Sequence, residues 1–163
     1  MVEMEVFGLA LDEHSQSPII VLKDKNEQHV LPIWVGALEA MAISMVVSGS
    51  AMPRPMTYDL LFDVLQHFES TLVRVELVSL REGIYYAELV LQKGKKQTRI
   101  DSRPSDAVVL ALRGGVPIMA HVDLLRAIST PQDNFKAELQ GPDAQKWTDV
   151  LARYSLDDLK YKM

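Results

Sequence analysis

Asp101-Ser102-Arg103-Pro104-Ser105-Asp106 sets two carboxylates and a guanidinium at the mouth of an apolar run, Ala107-Val108-Val109-Leu110-Ala111-Leu112. A second arginine, Arg54, stands between Pro53 and Pro55, just ahead of another apolar run that carries Asp59 near its start. Glu39 is the single charge in the stretch from Ala37 to Val47. A carboxylate there needs a partner, and Arg54 and Arg103, both at proline-fixed corners, are the candidates. Glu39 is therefore expected to be largely buried and paired with an arginine. Arginine forks hold phosphate through two parallel hydrogen bonds. Carboxylates beside them can hold a divalent ion or activate water. Glu39, Asp59, Asp101 and Asp106 with Arg54 and Arg103 thus suit a phosphodiester site. The same atoms also suit a structural ion-pair network tying helices to a sheet, and the residues alone leave both readings open.

Each group must be positioned by a neighbouring element. The period after Pro104 predicts a helix from about 104 to 113, stopped by Gly114-Gly115. Leu60, Leu61, Val64, Leu65 and Phe68 predict another, with Thr57 as N-cap and Asp59 in the first turn, where the helix dipole favours a carboxylate. Ala37 to Val47 is apolar nearly all round and predicts the central, buried helix. Strands are expected over 2–11, 18–22, 29–35, 71–80, 84–91 and 97–100, with an extended piece at 116–119. In the fourth of these, Val73, Val75 and Leu77 alternate with Arg74 and Glu76. Pro32 puts its strand at an edge or an irregularity, because proline cannot donate to a ladder. The expected fold is α/β, α+β-like, with a mostly antiparallel or mixed sheet wrapped on a buried central helix. Residues 1–127 make the body, and 128–163 a C-terminal loop and short helices packing on it.

Composition narrows the classes. The chain has 163 residues, enough for one domain with a real core. It has no cysteine, which excludes disulfides, thiol nucleophiles and cysteine-ligated zinc and fits a reducing compartment. The longest apolar run, Ala40 to Val47, is far short of the ~20 residues a membrane span needs. The acidic start, Met1-Val2-Glu3-Met4-Glu5, lacks the basic region of a signal peptide. A cytoplasmic protein with no membrane partner is expected. The net charge of −5 means that the overall field does not attract nucleic acid, so a local patch would have to. The dense candidate is Lys93, Lys95, Lys96 and Arg99 around Gly94, whose plainer reading is a solvated hairpin turn. His14, His29, His67 and His121 show no metal-ligand spacing and read as surface or turn residues. Trp34, Met41, Met45 and the Met52-Pro53 corner offer more apolar surface than one small sheet covers, which predicts a homodimer.

Pro32-Ile33-Trp34-Val35-Gly36 with Glu39-Ala40, then Pro53-Arg54-Pro55-Met56-Thr57-Tyr58-Asp59-Leu60, Tyr85-Tyr86-Ala87, and Asp101-Ser102-Arg103-Pro104-Ser105-Asp106-Ala107 together resemble the bifunctional nuclease domain family across roughly residues 2–127. The tail Tyr161-Lys162-Met163 resembles bacterial members. The resemblance implies a compact α/β homodimer that cleaves DNA and RNA with little sequence preference. It implies catalytic Glu39, Asp59, Asp101 and Asp106, and phosphate-binding Arg54 and Arg103. Asp101 and Asp106 would hold Mg2+ or Mn2+. Tyr58 stands where the family pattern leads one to expect a histidine, which removes one candidate acid or base. The alternative function is a non-enzymatic, homodimeric regulatory or ligand-binding module whose motif residues are structural.

Overall fold

The computed structural model describes residues 1–12, 15–26, 28–50 and 52–128. Within them one seven-stranded sheet forms from β1 (Val2–Leu11), β2 (Pro18–Asp24), β3 (Val30–Trp34), β4 (Thr71–Arg81), β5 (Ile84–Lys93), β6 (Lys96–Ser102) and β7 (Ile118–Ala120). The helices are α1 (Ala37–Val47), α2 (Thr57–His67), α3 (Pro104–Gly114) and α4 (Val122–Ala127). The strand order is β3-β2-β1-β7-β4-β5-β6. It is two antiparallel meanders of consecutive strands, joined by β7, which runs antiparallel to β1 and parallel to β4. The sheet is therefore mixed, and β3 with its Pro32 lies at one edge. The β4–β5 turn needs positive φ at both central residues, and Glu82 (50°) and Gly83 (79°) supply it.

Strand alternation sends Val75, Leu77, Ala87 and Leu89 to one face, where they join Val108 and Leu110 of α3 in the core. The Tyr85 hydroxyl donates to the Pro32 carbonyl at 3.0 Å, across the four strands that separate β5 from β3 in the order. That contact requires the sheet to curl around α3. Burial raises the pKa of the Tyr85 phenol, so the donor keeps its proton.

The central helix is α3, not α1. In α3 every residue from Ala107 to Ala111 is buried, and Ala107 and Ala111 are small enough to let the sheet close over it. In α1 only Ala40, Ile43 and Ser44 are buried, and Leu38 and Val47 are exposed. An all-round apolar composition permits burial but does not choose the helix. Here α1 lies along the flank of α3 and covers it from one side. The next helix, α2, has no fully buried residue, and Leu60, Val64 and Phe68 form an exposed apolar stripe at helical spacing. Met56 is its N-cap and Thr57 its first helical residue, one position earlier than the sequence suggests. Among the described residues no helix is long and apolar enough to cross a membrane. The short helices expected within 128–163 lie outside the described residues.

One contact sets the α2–α3 spacing. A Cβ placed on Gly114 would lie 2.7 Å from Cζ of Phe62, inside van der Waals distance of a bulky ring. Gly114→Ala should therefore push α2 off α3 and cost roughly 1–3 kcal/mol in a denaturant titration, the range for overpacking.

Candidate active site

The first turns of three helices meet at one open cleft. Arg103 is the N-cap of α3, held extended (φ −68°, ψ 144°) by the proline that follows it. Asp106 sits in the first turn of α3 and Glu39 in the first turn of α1, positions where helix dipoles favour a carboxylate. Tyr58 comes from the first turn of α2. Arg103 Nε donates to Asp106 Oδ2 at 2.6 Å and Nη2 to Oδ1 at 3.0 Å, a bidentate fork. Its Nη1 donates to Glu39 Oε1 at 2.8 Å. The Tyr58 hydroxyl donates to Asp106 Oδ1 at 3.1 Å. The cleft over this cluster is lined by Thr57, Tyr58, Asp101, Ser102, Arg103 and Asp106 above an apolar floor of Leu61, Leu89 and Leu110.

The electrostatics follow from these contacts. Hydrogen bonds to Asp106, then its charge and the bond to Glu39, raise the pKa of Arg103 further above its ordinary value. Burial first, then the negative charge of Asp106 and the hydrogen bond to it, push Tyr58 up to about 12. Tyr58 is thus a neutral donor across the physiological range and does not replace a histidine as a base. Glu39 does pair with an arginine, as expected, but the pair is open. The Glu39 side chain is 19% exposed and that of Arg103 is 65% exposed. Such a pair contributes about 1 kcal/mol or less, so Glu39→Ala should melt close to wild type.

The structure gathers Glu39, Arg103 and Asp106 and adds Tyr58. The other predicted residues stand apart from that cluster. Asp59 Oδ2 accepts from the Met56 N–H at 2.9 Å, and Oδ1 is engaged by Arg113. The Met56 hydrogen bond is the chief cause of its lowered pKa, so Asp59 is a capping and bracing residue as placed. Arg54 is exposed in the corner before α2 and, among the described residues, makes no ion pair. Asp101 borders the cleft, but β6 pairs it with Glu88, on the face that carries Arg99 rather than α3.

The basic cluster near Gly94 is also divided. Lys93 Nζ donates to the Phe68 carbonyl at the end of α2. Arg99 is turned onto Glu76 at 2.7 Å and Glu88 at 2.6 Å. Only Lys95 and Lys96 remain as turn cations there. Glu76 lies, as expected, on the face of β4 opposite Val75 and Leu77, yet it has no exposed surface. Arg74 donates to it at 2.7 Å, and His121 lies 3.3 Å away. Burial alone would raise its pKa, but hydrogen bonds from Arg99, Arg74 and His121 outweigh it and bring Glu76 down to about 2. Arg74 is its one local partner; the burial of Glu76 carried no local signal, because Arg99 arrives from β6 and His121 from the start of α4.

A divalent ion does not fit the cluster as arranged. Both Asp106 oxygens are taken by Arg103 and Tyr58, and Glu39 Oε1 is taken by Arg103. Among the described residues no group of three or more metal-ligating side chains forms.

A curled mixed sheet around one helix, with an arginine–carboxylate–tyrosine cluster at the helix mouths, defines a mixed α/β domain with one polar cleft. The chain belongs to the bifunctional nuclease domain family, whose sequence model matches residues 20–133. It is 34% identical to an uncharacterized protein of Mycobacterium tuberculosis (strain ATCC 25618 / H37Rv), over 98% of this chain and 99% of that one. It is 31% identical to bifunctional nuclease 2 of Oryza sativa subsp. japonica over 72% of this chain. It is 32% identical to bifunctional nuclease 2 of Arabidopsis thaliana over 76% of this chain. Those two alignments span 37% and 40% of the plant proteins.

Proposed function

We propose that this chain is a cytoplasmic nuclease that hydrolyses phosphodiester bonds of DNA and RNA with little sequence preference. One observation carries the reading: Tyr58, Arg103 and Asp106 meet in an open cleft, and Glu39 reaches Arg103 from a third helix. Family membership and the plant relatives' names support the same class. Attack by water on phosphorus builds negative charge on the non-bridging oxygens. A guanidinium fixed in a cleft is suited to hold that charge. Glu39 and Asp106 are the carboxylates beside it, and a carboxylate can take the proton of the attacking water. Phosphate contacts position a strand without reading bases, which accounts for weak sequence preference. Purified protein should nick plasmid DNA and cleave an RNA oligomer, and Asp106→Asn should cleave neither. Running the assay in Mg2+, in Mn2+ and in excess chelator checks the divalent-ion expectation. Wild-type protein inert on both polymers under all three conditions would overturn the proposal.

A second reading, a homodimeric regulatory or ligand-binding module, is favoured by the exposed Leu60, Val64 and Phe68 stripe on α2. Light scattering at twice 18.3 kDa, together with no cleavage, would select it.

A further inference from the structure

We propose that Glu39 is a displaceable mask on Arg103, and that a phosphate of the nucleic-acid strand takes its place at Nη1. This rests on the nuclease reading of the same cleft. One guanidinium against two carboxylates leaves the cluster with a formal charge of −1, which repels a phosphodiester. Shedding one carboxylate brings the cluster to neutrality and frees an N–H for a phosphate oxygen. Three of its five N–H groups are committed, two to Asp106 and one to Glu39.

The two carboxylates are not held alike. Asp106 is gripped bidentately, lies three residues from Arg103 on the same helix mouth, and is backed by the Tyr58 hydroxyl. Glu39 is held by one hydrogen bond from a different helix. Its other oxygen, Oε2, rests where a Cβ on Gly36 would stand, 2.3 Å away. Gly36 thus provides the space in which the mask docks. Arg103 is the most exposed member of the pair, so a strand reaches it from solvent. Once Glu39 leaves, Asp106 and Tyr58 keep the guanidinium aimed, and the released carboxylate stands beside the bound phosphate.

Two variants test this. Glu39→Ala deletes the mask. Gly36→Ala keeps every charge and pushes the carboxylate off its seat, because φ −75° and ψ 164° at Gly36 suit alanine as well as glycine. Binding of a fluorescein-labelled single-stranded DNA 12-mer is read by anisotropy, with the oligomer checked on a gel after each titration so that only intact strand is counted. Both variants should bind tighter than wild type, by roughly two- to fivefold, the strength of an exposed ion pair that no longer has to be broken. Asp63→Asn, which removes an exposed α2 carboxylate away from the cluster, should give a smaller change. Adding Arg103→Ala should erase the gain. The salt slope of log affinity should flatten by about 0.7 in that double variant, one single-strand phosphate contact. Gly36→Ala and Glu39→Ala that bind no tighter than wild type, or no protein binding the 12-mer at all, overturn the mask. Tighter binding with no cleavage anywhere would retain the mask and remove the nuclease reading. Cleavage by wild type without the gain would do the reverse.

Discussion

Arg103→Ala is expected to lower cleavage of DNA and RNA by roughly a hundredfold or more, the usual consequence of removing one preorganised donor from developing oxyanion charge. The loss should be equal across sequences, since a phosphate contact carries no base information. The fold should survive, because the side chain is 65% exposed and its partners can be solvated in its absence. A thermal melt near wild type, recorded on the same preparation, separates lost chemistry from lost structure. Arg54→Ala supplies the contrast: its guanidinium is exposed outside the cluster, so its effect should be smaller. Undiminished cleavage in Arg103→Ala would take the site away from the α3 mouth and leave the binding module ahead.

Glu76→Ala should be the most destabilising single change away from the cleft. The carboxylate is fully enclosed and receives hydrogen bonds from Arg74, Arg99 and His121, which join β4, β6 and the start of α4. Removing it leaves three basic groups facing one another around a void. A loss of roughly 3–5 kcal/mol is expected, as for other broken buried pairs. On a domain of this size that lowers Tm by on the order of 10 °C. The pH dependence gives an independent check. The folded pKa of about 2 lies below the ordinary 4.5, so the folded state binds fewer protons. The stabilisation is complete above the unfolded value and is lost as pH falls from 4.5 through about 2. It amounts to on the order of 3 kcal/mol. Wild type should weaken across that window in acid titrations at fixed urea, and Glu76→Ala should lose this part of the slope. A variant with the wild-type slope would show that another carboxylate governs acid stability.

Much of the architecture was legible in the chain, and the reasons differ by element. Six strands lie near where alternation, short apolar runs and turn signals place them, and the short extended piece at 116–119 overlaps β7. The edge position of β3 follows from Pro32, and the stop of α3 follows from Gly115, which is left-handed at φ 61°. The pairing of Arg103 with Glu39 was within reach too, because a lone carboxylate in an apolar helix needs a cation. What escaped was non-local. Nothing in Ala37 to Val47 says that another helix occupies the centre of the curl. Nothing near Glu76 says that Arg99 will cross β5 to reach it. The family resemblance makes Asp101 and Asp106 joint metal holders. A strand sends neighbours to opposite faces, however, and the helix begins only after the chain has left β6. Tyr58 read as a departure from a family pattern, although its hydroxyl is what backs Asp106.

β7 is three residues long, yet it is the seam between the two meanders, and among the described strands it is the last synthesised. Until Ile118 to Ala120 has left the ribosome, β1 and β4 each carry an open edge, and the β1–β3 unit has no partner across the gap. Each meander can pair locally and early, whereas their union waits on β7 rungs that lie 43 residues from β4 and 114 to 118 residues from β1, the slow kind. The nascent chain therefore passes through a state with two unsatisfied sheet edges, the kind of surface that recruits other chains. Truncations ending before residue 117 should trap that state and precipitate. A peptide restoring the short parallel rung would act as a clasp, in the manner of donor-strand complementation.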